Sequence, residues 1–227
     1  MDFSQRLGTI ISFDYKPLID LITEISDLHK KISDEYPEKF DRQLINLKKR
    51  QVRHVFEDEL NIVQEEFYLL VQSYYDMLKI CTINTELEYE FTDLGLRLRI
   101  KQIESIVHKL IYYRTGRREE GKVPLNKCLN DFLGFRIFID GFDHNCSKFN
   151  DLCQKISENH TIKKENACKE DYRATHIYFH AGNKAFPWEL QIWNKEDENT
   201  NEQSHKTHKS KREYIKWPNT YKNSKSY

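Results

Sequence analysis

The chain has 227 residues, 38% of them apolar and 32% charged, with 36 basic and 36 acidic side chains. That length supports one good core with room for an appended subdomain, and no apolar run approaches the roughly twenty residues of a membrane-spanning helix. The N-terminus lacks the pattern of a secretory signal, and the five cysteines (Cys81, Cys128, Cys146, Cys153, Cys168) are odd in number and form no Cys-x-x-Cys pair; the expectation is a soluble cytoplasmic protein without a disulfide framework or structural zinc.

The balanced charge hides an asymmetry. Residues 1–90 hold 11 Lys and Arg against 18 Asp and Glu, giving −7, and residues 91–227 hold 25 against 18, giving +7. A basic half suits an anionic partner such as a nucleotide or RNA, although halves of opposite sign also attract each other.

Taken in order, the first 90 residues read as a helical extension. Leu18, Ile22, Ile25, Leu28 and Ile32 recur at helical spacing and predict an amphipathic helix from Lys16 to about Asp34, with Pro37 ending the turn that follows. Val55, Leu60, Val63, Phe67, Leu70, Val71, Tyr74 and Leu78 predict a second, longer helix packed along a neighbour. Neither segment carries residues that suggest chemistry; support, a dimer surface or a lid are the roles open to them.

The character changes near Tyr89. Leu96-Arg97-Leu98-Arg99-Ile100-Lys101 alternates strictly, the pattern of a half-buried strand with three cations on one face. From Ile103 the period becomes helical, and Ser105 and Lys109, four residues apart, share a helix face. Cations delivered by a strand into a helix N-terminus make a phosphate site, because free N–H groups and the helix dipole favour anions; the same pattern also describes a solvated basic strand edge. Residues 114–124 are polar and punctuated by glycine, and read as a mobile loop. Phe135, Ile137 and Ile139 then predict a strand that leaves Gly134 and Arg136 on its other face. A glycine within a strand often marks close approach of a ligand or another backbone.

Residues 146–158 read as a helix and 160–164 as a short strand. Two β-type runs follow, Asp171 to Phe179 and Trp188 to Trp193. In the second, Leu190 and Ile192 suit a core while Glu189, Gln191 and Trp193 share the opposite face. This stretch alone admits either an exposed sheet face or a carboxylate with a partner. Residues 198–215 are helix-compatible and include His205, and 217–227 read as a polar tail. With seven glycines, and neither Gly-x-Gly-x-x-Gly nor Gly-x-x-x-x-Gly-Lys-Ser/Thr, the Rossmann and P-loop nucleotide sites are excluded.

The order of these groups is informative: Arg99-x-Lys101-x-x-x-Ser105-x-x-x-Lys109, Asp131-x-x-Gly134-x-Arg136, Tyr172-Arg173-x-x-His176, Glu189-x-Gln191-Ile192 and then His205. Over about residues 95–210 this resembles the synthetase domain of the RelA/SpoT family, the pyrophosphokinases that make ppGpp and pppGpp. The resemblance implies a nucleotidyltransferase-like α/β fold, a mixed sheet of about five strands flanked by helices, with residues 91–216 as the synthetase domain. It also implies transfer of the β,γ-diphosphate of ATP to the 3′-hydroxyl of GDP or GTP. In that scheme Arg99, Lys101, Ser105 and Lys109 hold the ATP phosphates, Arg136 stacks near adenine, and Asp131 and Glu189 share a Mg²⁺ ion. Glu189 orients or deprotonates the acceptor hydroxyl, Tyr172 stacks on the acceptor base, His176 and Gln191 lie near the acceptor, and His205 matches a histidine of the family's last motif.

The departures fall on the acceptor side. The family's glycine before the tyrosine is Asp171, its upstream Pro-Lys pair is absent, and its usual Arg-Thr after Glu-x-Gln-Ile is Trp193-Asn194. Two alternatives accordingly stand beside the leading reading. One is a toxin-type relative that pyrophosphorylates the 3′-terminal adenosine of tRNA, and the other is a catalytically silent nucleotide-binding module. A homo-oligomer and an antitoxin partner are compatible with the resemblance. A membrane is not an expected partner, and with no His-Asp pair for a hydrolase site, alarmone breakdown is not expected.

Overall fold

The structure, a computed structural model, describes residues 13–40, 44–57, 61–116 and 120–210; the expected tail over 217–227 lies outside them. Five strands, β1 (Arg97–Ile100), β2 (Leu133–Ile139), β3 (Ile162–Asn166), β4 (Thr175–Phe179) and β5 (Trp188–Asn194), form one sheet in the order β1-β2-β5-β4-β3. Only the central pair β2–β5 is parallel. Around the sheet lie α1 (Lys16–Phe40), α2 (Glu65–Asn84), the short α3 (Leu87–Glu90), α4 (Ile103–Thr115), the single turn α5 (Leu125–Cys128), α6 (Ser147–Ile156) and α7 (Glu198–Ser210). This is the expected mixed α/β architecture, five strands flanked by helices with a helical layer from the N-terminus.

Period-two burial follows the sequence. On β2, Leu133, Phe135, Ile137 and Ile139 are buried while Gly134, Arg136 and Phe138 are half-buried on the other face. Leu190 and Ile192 of β5 join the first set, and α1 and α2 cover it with Leu18, Ile22, Ile25, Leu70, Tyr74 and Leu78. Two hydrogen bonds fix the layers. The Trp188 indole N–H donates to the Tyr74 hydroxyl at 2.8 Å, and His29 Nε2 lies 2.9 Å from the Phe186 carbonyl. Burial pushes the His29 imidazole down to about 4, so the ring is neutral and donates through Nε2–H.

Two expectations need correction. Pro37 lies inside α1 and does not end it. Near the helix C-terminus its missing N–H removes a single intrahelical bond, while the adjacent Tyr36 anchors that turn by donating to the Leu70 carbonyl at 2.9 Å. The second helical pattern divides. Val52–Val55 form a 3₁₀ turn, Phe56 and Val63 pair as an antiparallel bridge, and α2 begins at Glu65. Val55 and Val63 matched the helical register because turn and helix bury apolar groups in one core; Leu60 lies outside the described residues. In the segment 114–124, Gly121 bonds to neighbouring backbone. Gly121 donates to the Tyr113 carbonyl and accepts from the Arg53 N–H, each at 3.0 Å. At φ +74°, with Arg53 Cβ 2.9 Å from any Cβ built there, position 121 requires glycine.

Candidate active site

The face of the sheet turned away from α1 and α2 gathers the polar side chains. Register sets them in rows: Arg99 opposite Gly134, Gly134 opposite Glu189, Glu189 opposite Tyr178, and Arg136, Gln191 and His176 in the next row. Two clusters result.

The first is a charge cluster. The Lys101 N–H continues the β1–β2 ladder by donating to the Phe132 carbonyl at 2.9 Å, which brings its side chain beside Asp131. The Lys101 ammonium pairs with Asp131 Oδ2, and Lys109 reaches Oδ1 at 3.0 Å and Asn130 Oδ1 at 3.2 Å from one turn inside α4. Burial alone would raise the Asp131 carboxyl, but the two ammonium groups hold it well below the carboxylate range. Burial likewise opposes the charge on Lys109, and Asp131 more than restores it, so its ammonium is held above the usual value. Arg99 is exposed on β1 and Ser105 half-buried on the first turn of α4; neither makes a side-chain hydrogen bond among the described residues. Gln102 precedes α4 without a side-chain cap, so its first N–H groups are not capped by that side chain.

The second cluster surrounds Glu189, which is buried in the middle of β5 and only 7% exposed. Its Oε2 accepts from Gln191 Nε2 at 2.8 Å, and its Oε1 lies 3.1 Å from His176 Nδ1. Burial favours the neutral acid, yet the His176 contact and the Gln191 amide together keep the Glu189 carboxyl below its ordinary value. His176 Nε2 sits 3.0 Å from the Tyr172 hydroxyl, which accepts from the Trp193 indole N–H at 3.3 Å. Arg136 bonds Gln191 Oε1 through Nε and Nη2 at 3.1 and 3.0 Å, pairs with Glu202 of α7 at 2.8 Å, and lies 3.7 Å above the Trp193 ring. Burial raises the Tyr172 and Tyr178 phenols, so both hydroxyls are protonated.

Of the residues singled out by sequence, Lys101, Lys109 and Asp131 come together in the first cluster, and Arg136, Tyr172, His176, Glu189 and Gln191 in the second. Arg99 and Ser105 flank the first cluster. His205 lies on α7, but its side chain is outside the described residues. The exposed-sheet reading of Glu189, Gln191 and Trp193 is overturned, because Glu189 and Trp193 are buried. Sequence reading missed Tyr178, Asn130, Asn201 and Glu202. Tyr178 was legible as the next residue on the His176 face of β4; the α7 residues carried no local signal. Gly134 adjoins Glu189 across the ladder, where an added Cβ would meet only the Arg99 carbonyl oxygen at an ordinary 3.7 Å. No backbone crowding demands that glycine, and the space beside Glu189 is open.

The donor set suits a hard cation. Asp131 and Glu189 are near enough that the charge of the first raises the proton affinity of the second, and a divalent ion bound by carboxylate oxygens relieves that repulsion. Each carboxylate keeps lone pairs beyond those engaged by its protein partners. Among the described residues no group of three or more His, Cys, Asp or Glu forms a metal cluster; Mg²⁺ commonly uses one or two protein carboxylates and completes its shell with water and phosphate.

Residues 98–214 match the family model described as a region found in RelA / SpoT proteins. The chain belongs to the RelA/SpoT family. No curated protein matches it. Among solved structures, a small alarmone synthetase 2 from Bacillus subtilis is 17% identical, with 64% of this chain and 80% of that one covered and a TM-score of 0.37. Small alarmone synthetase 1 from the same organism, bound to its product pppGpp, is 18% identical over 65% and 80%, with a TM-score of 0.35. A GTP pyrophosphokinase family protein from Streptococcus pneumoniae is 19% identical over 63% and 76%, with a TM-score of 0.36. Among the described residues of this RelA/SpoT protein, no helix is long and apolar enough to cross a membrane.

Proposed function

We propose that the chain is an ATP-dependent pyrophosphokinase that transfers the β,γ-diphosphate of ATP to the 3′-hydroxyl of GDP or GTP, with residues 91–216 as its synthetase unit and the helices of residues 1–90 as support. Membership of the RelA/SpoT family supports synthetase-type chemistry. The observation that carries the reading is the junction on one sheet face of a lysine-held carboxylate, Asp131, with a buried, ionised carboxylate, Glu189, under an open position at Gly134.

Phosphoryl transfer demands charge neutralisation and an oriented hydroxyl more than covalent assistance from the protein. Among the described residues, Arg99 and Ser105 make no side-chain hydrogen bond to surrender. Lys101 and Lys109 form an ammonium pair that can turn from Asp131 to a polyphosphate, each exchange replacing one anion by another. Mg²⁺ held by Asp131 and Glu189 would neutralise charge on the phosphate oxygens. Glu189, ionised and fixed by Gln191 and His176, is poised to accept the proton of a hydroxyl seated beside Gly134. Gln191 and Arg136 orient that carboxylate from one side and His176 and Tyr172 from the other.

Purified chain incubated with Mg-ATP and GDP should yield a 3′-pyrophosphorylated guanosine. The departures at Asp171 and Trp193 favour a second acceptor, the tRNA 3′ end. Labelling of tRNA from γ-³²P-ATP with no guanosine product would replace the first acceptor by the second. Absence of transfer to either, with nucleotide binding retained, would leave the silent module.

A further inference from the structure

The second cluster is a ring of polar contacts whose two arms converge on Glu189. One arm goes from the Arg136 guanidinium to Gln191 Oε1, and from Gln191 Nε2 to Glu189 Oε2. The other goes from the Trp193 indole N–H to the Tyr172 oxygen, from the Tyr172 hydroxyl to His176 Nε2, and from His176 Nδ1 to Glu189 Oε1. The Tyr178 hydroxyl also meets this arm, 3.2 Å from His176 Nδ1. Both arms end on the Glu189 carboxylate and begin at one contact, the Arg136 guanidinium 3.7 Å from the Trp193 ring. Trp193 is fully buried, its ring edge-on to Tyr172 at 6.0 Å and to Phe138 at 5.7 Å. An indole is the side chain that serves both arms, because its face carries a guanidinium while its edge donates. This is also a position at which the chain departs from the usual arginine of its family.

We propose that Trp193 is a positioning residue that joins the two substrate sides of the site: its face sets Arg136 and its N–H sets Tyr172, so that Glu189 is aimed from both arms at once. The inference rests on the pyrophosphokinase reading for its kinetic consequence but not for the ring itself. Trp193 touches no reacting atom; it acts through Arg136 and Tyr172.

The test uses the full chain. W193F keeps an aromatic face and loses the N–H; W193L loses both. W193F should raise the KM for the acceptor, with GDP or tRNA as the probe, roughly fivefold to tenfold and leave the KM for ATP within about twofold. W193L should raise both. Y172F should raise the acceptor KM as W193F does, and W193F/Y172F should be no worse than Y172F alone, because the two remove the same bond. Equal rises in both KM values for W193F, or a double variant whose effects multiply, would overturn the assignment. Without any substrate, the Trp193 indole N–H should exchange with solvent roughly tenfold faster in Y172F than in the native chain. Trp188, bonded to Tyr74, should not change and serves as the internal standard. An unaltered Trp193 signal overturns the proposal even if W193L fails to fold. A native chain that transfers to no acceptor defeats the pyrophosphokinase reading, and the indole exchange then decides this one alone.

Discussion

Two clusters a few residues apart on one sheet are held by opposite means. Around Asp131, three formal charges meet in one partly buried spot, with side chains 14–23% exposed. Around Glu189, the carboxylate is held by the Gln191 amide and by His176, and among the described residues Arg136 reaches it through Gln191. Charges packed together hold one another strongly but can exchange partners when another anion arrives. A network of hydrogen bonds among buried side chains fixes geometry instead. In the proposed reaction the lysine side would exchange anions and the glutamate side would supply aim.

The largest expected effect comes from removing the end point of the aimed side. E189Q preserves shape and neutral hydrogen bonding but cannot take a proton; transfer should fall about a thousandfold or more while binding of a non-hydrolysable ATP analogue stays near native. Retained turnover would remove Glu189 from its role and with it the purpose of the ring.

Next is the charge cluster. D131A leaves two partly buried ammonium groups facing each other and should cost about 3 kcal/mol in urea unfolding, whereas K101M/K109M/D131L, which removes all three charges, should recover most of that loss. The pH dependence follows from the same groups. Because the Asp131 carboxyl is held below its unfolded value, its contribution is present above about pH 5 and is lost as pH falls through the carboxylate range. Lys109, held above its ordinary value, contributes below about pH 10 and loses that contribution at higher pH. On the opposite face His29 is pushed down to about 4 from 6.5, so the unfolded chain takes up a proton that the folded one refuses, and stability falls as pH drops through that window. H29Q should flatten the first decline and leave the second, more acidic one; D131A should do the reverse.

How much of this was legible in sequence depends on distance along the chain. The alternation at 96–101 and 135–139 gave β1, β2 and the face of each side chain, because period-two burial is a local property. Asp131 beside Lys101 and Lys109 needed the resemblance to group them, since a ladder bond from Lys101 to Phe132 and the turns of α4 bring them together. The Glu189 strand read equally well as surface, because nothing local reveals that another layer covers it. Pro37 misled for the same reason in reverse: its local cost is real, and the Tyr36 anchor on α2 outweighs it. Trp193 stood out only as a departure, and its N–H partner lies 21 residues earlier.

Asn201 is the clearest case of a role without a local signal. It is fully buried on a strongly polar helix and holds the Arg173 backbone at both ends, accepting from its N–H at 2.9 Å and donating to its carbonyl at 2.8 Å. The residue before Arg173 is Tyr172, so this bond seats one arm of the ring. N201A leaves two backbone groups unpaired and should cost about 2 kcal/mol. N201D, which can accept but not donate, should recover only part of it. A loss confined to stability, with native acceptor KM, would separate α7 from the aim of Glu189.

The smallest effect is expected where charge meets solvent. Arg97 and Glu198 approach to 3.5 Å with side chains 62% and 35% exposed, and the Arg97 guanidinium also rests 4.5 Å from the Phe138 ring. Water and salt screen such a pair, and the ring contact survives its loss, so E198A should change stability by less than about 0.5 kcal/mol in low or high salt. The contrast with Asn201 is the point of the measurement, because both residues attach the same helix within one turn. If E198A costs more than N201A, then α7 is held by exposed charge, and the distinction between a charge-paired cluster and a hydrogen-bonded one does not extend to the helix that contacts Arg136.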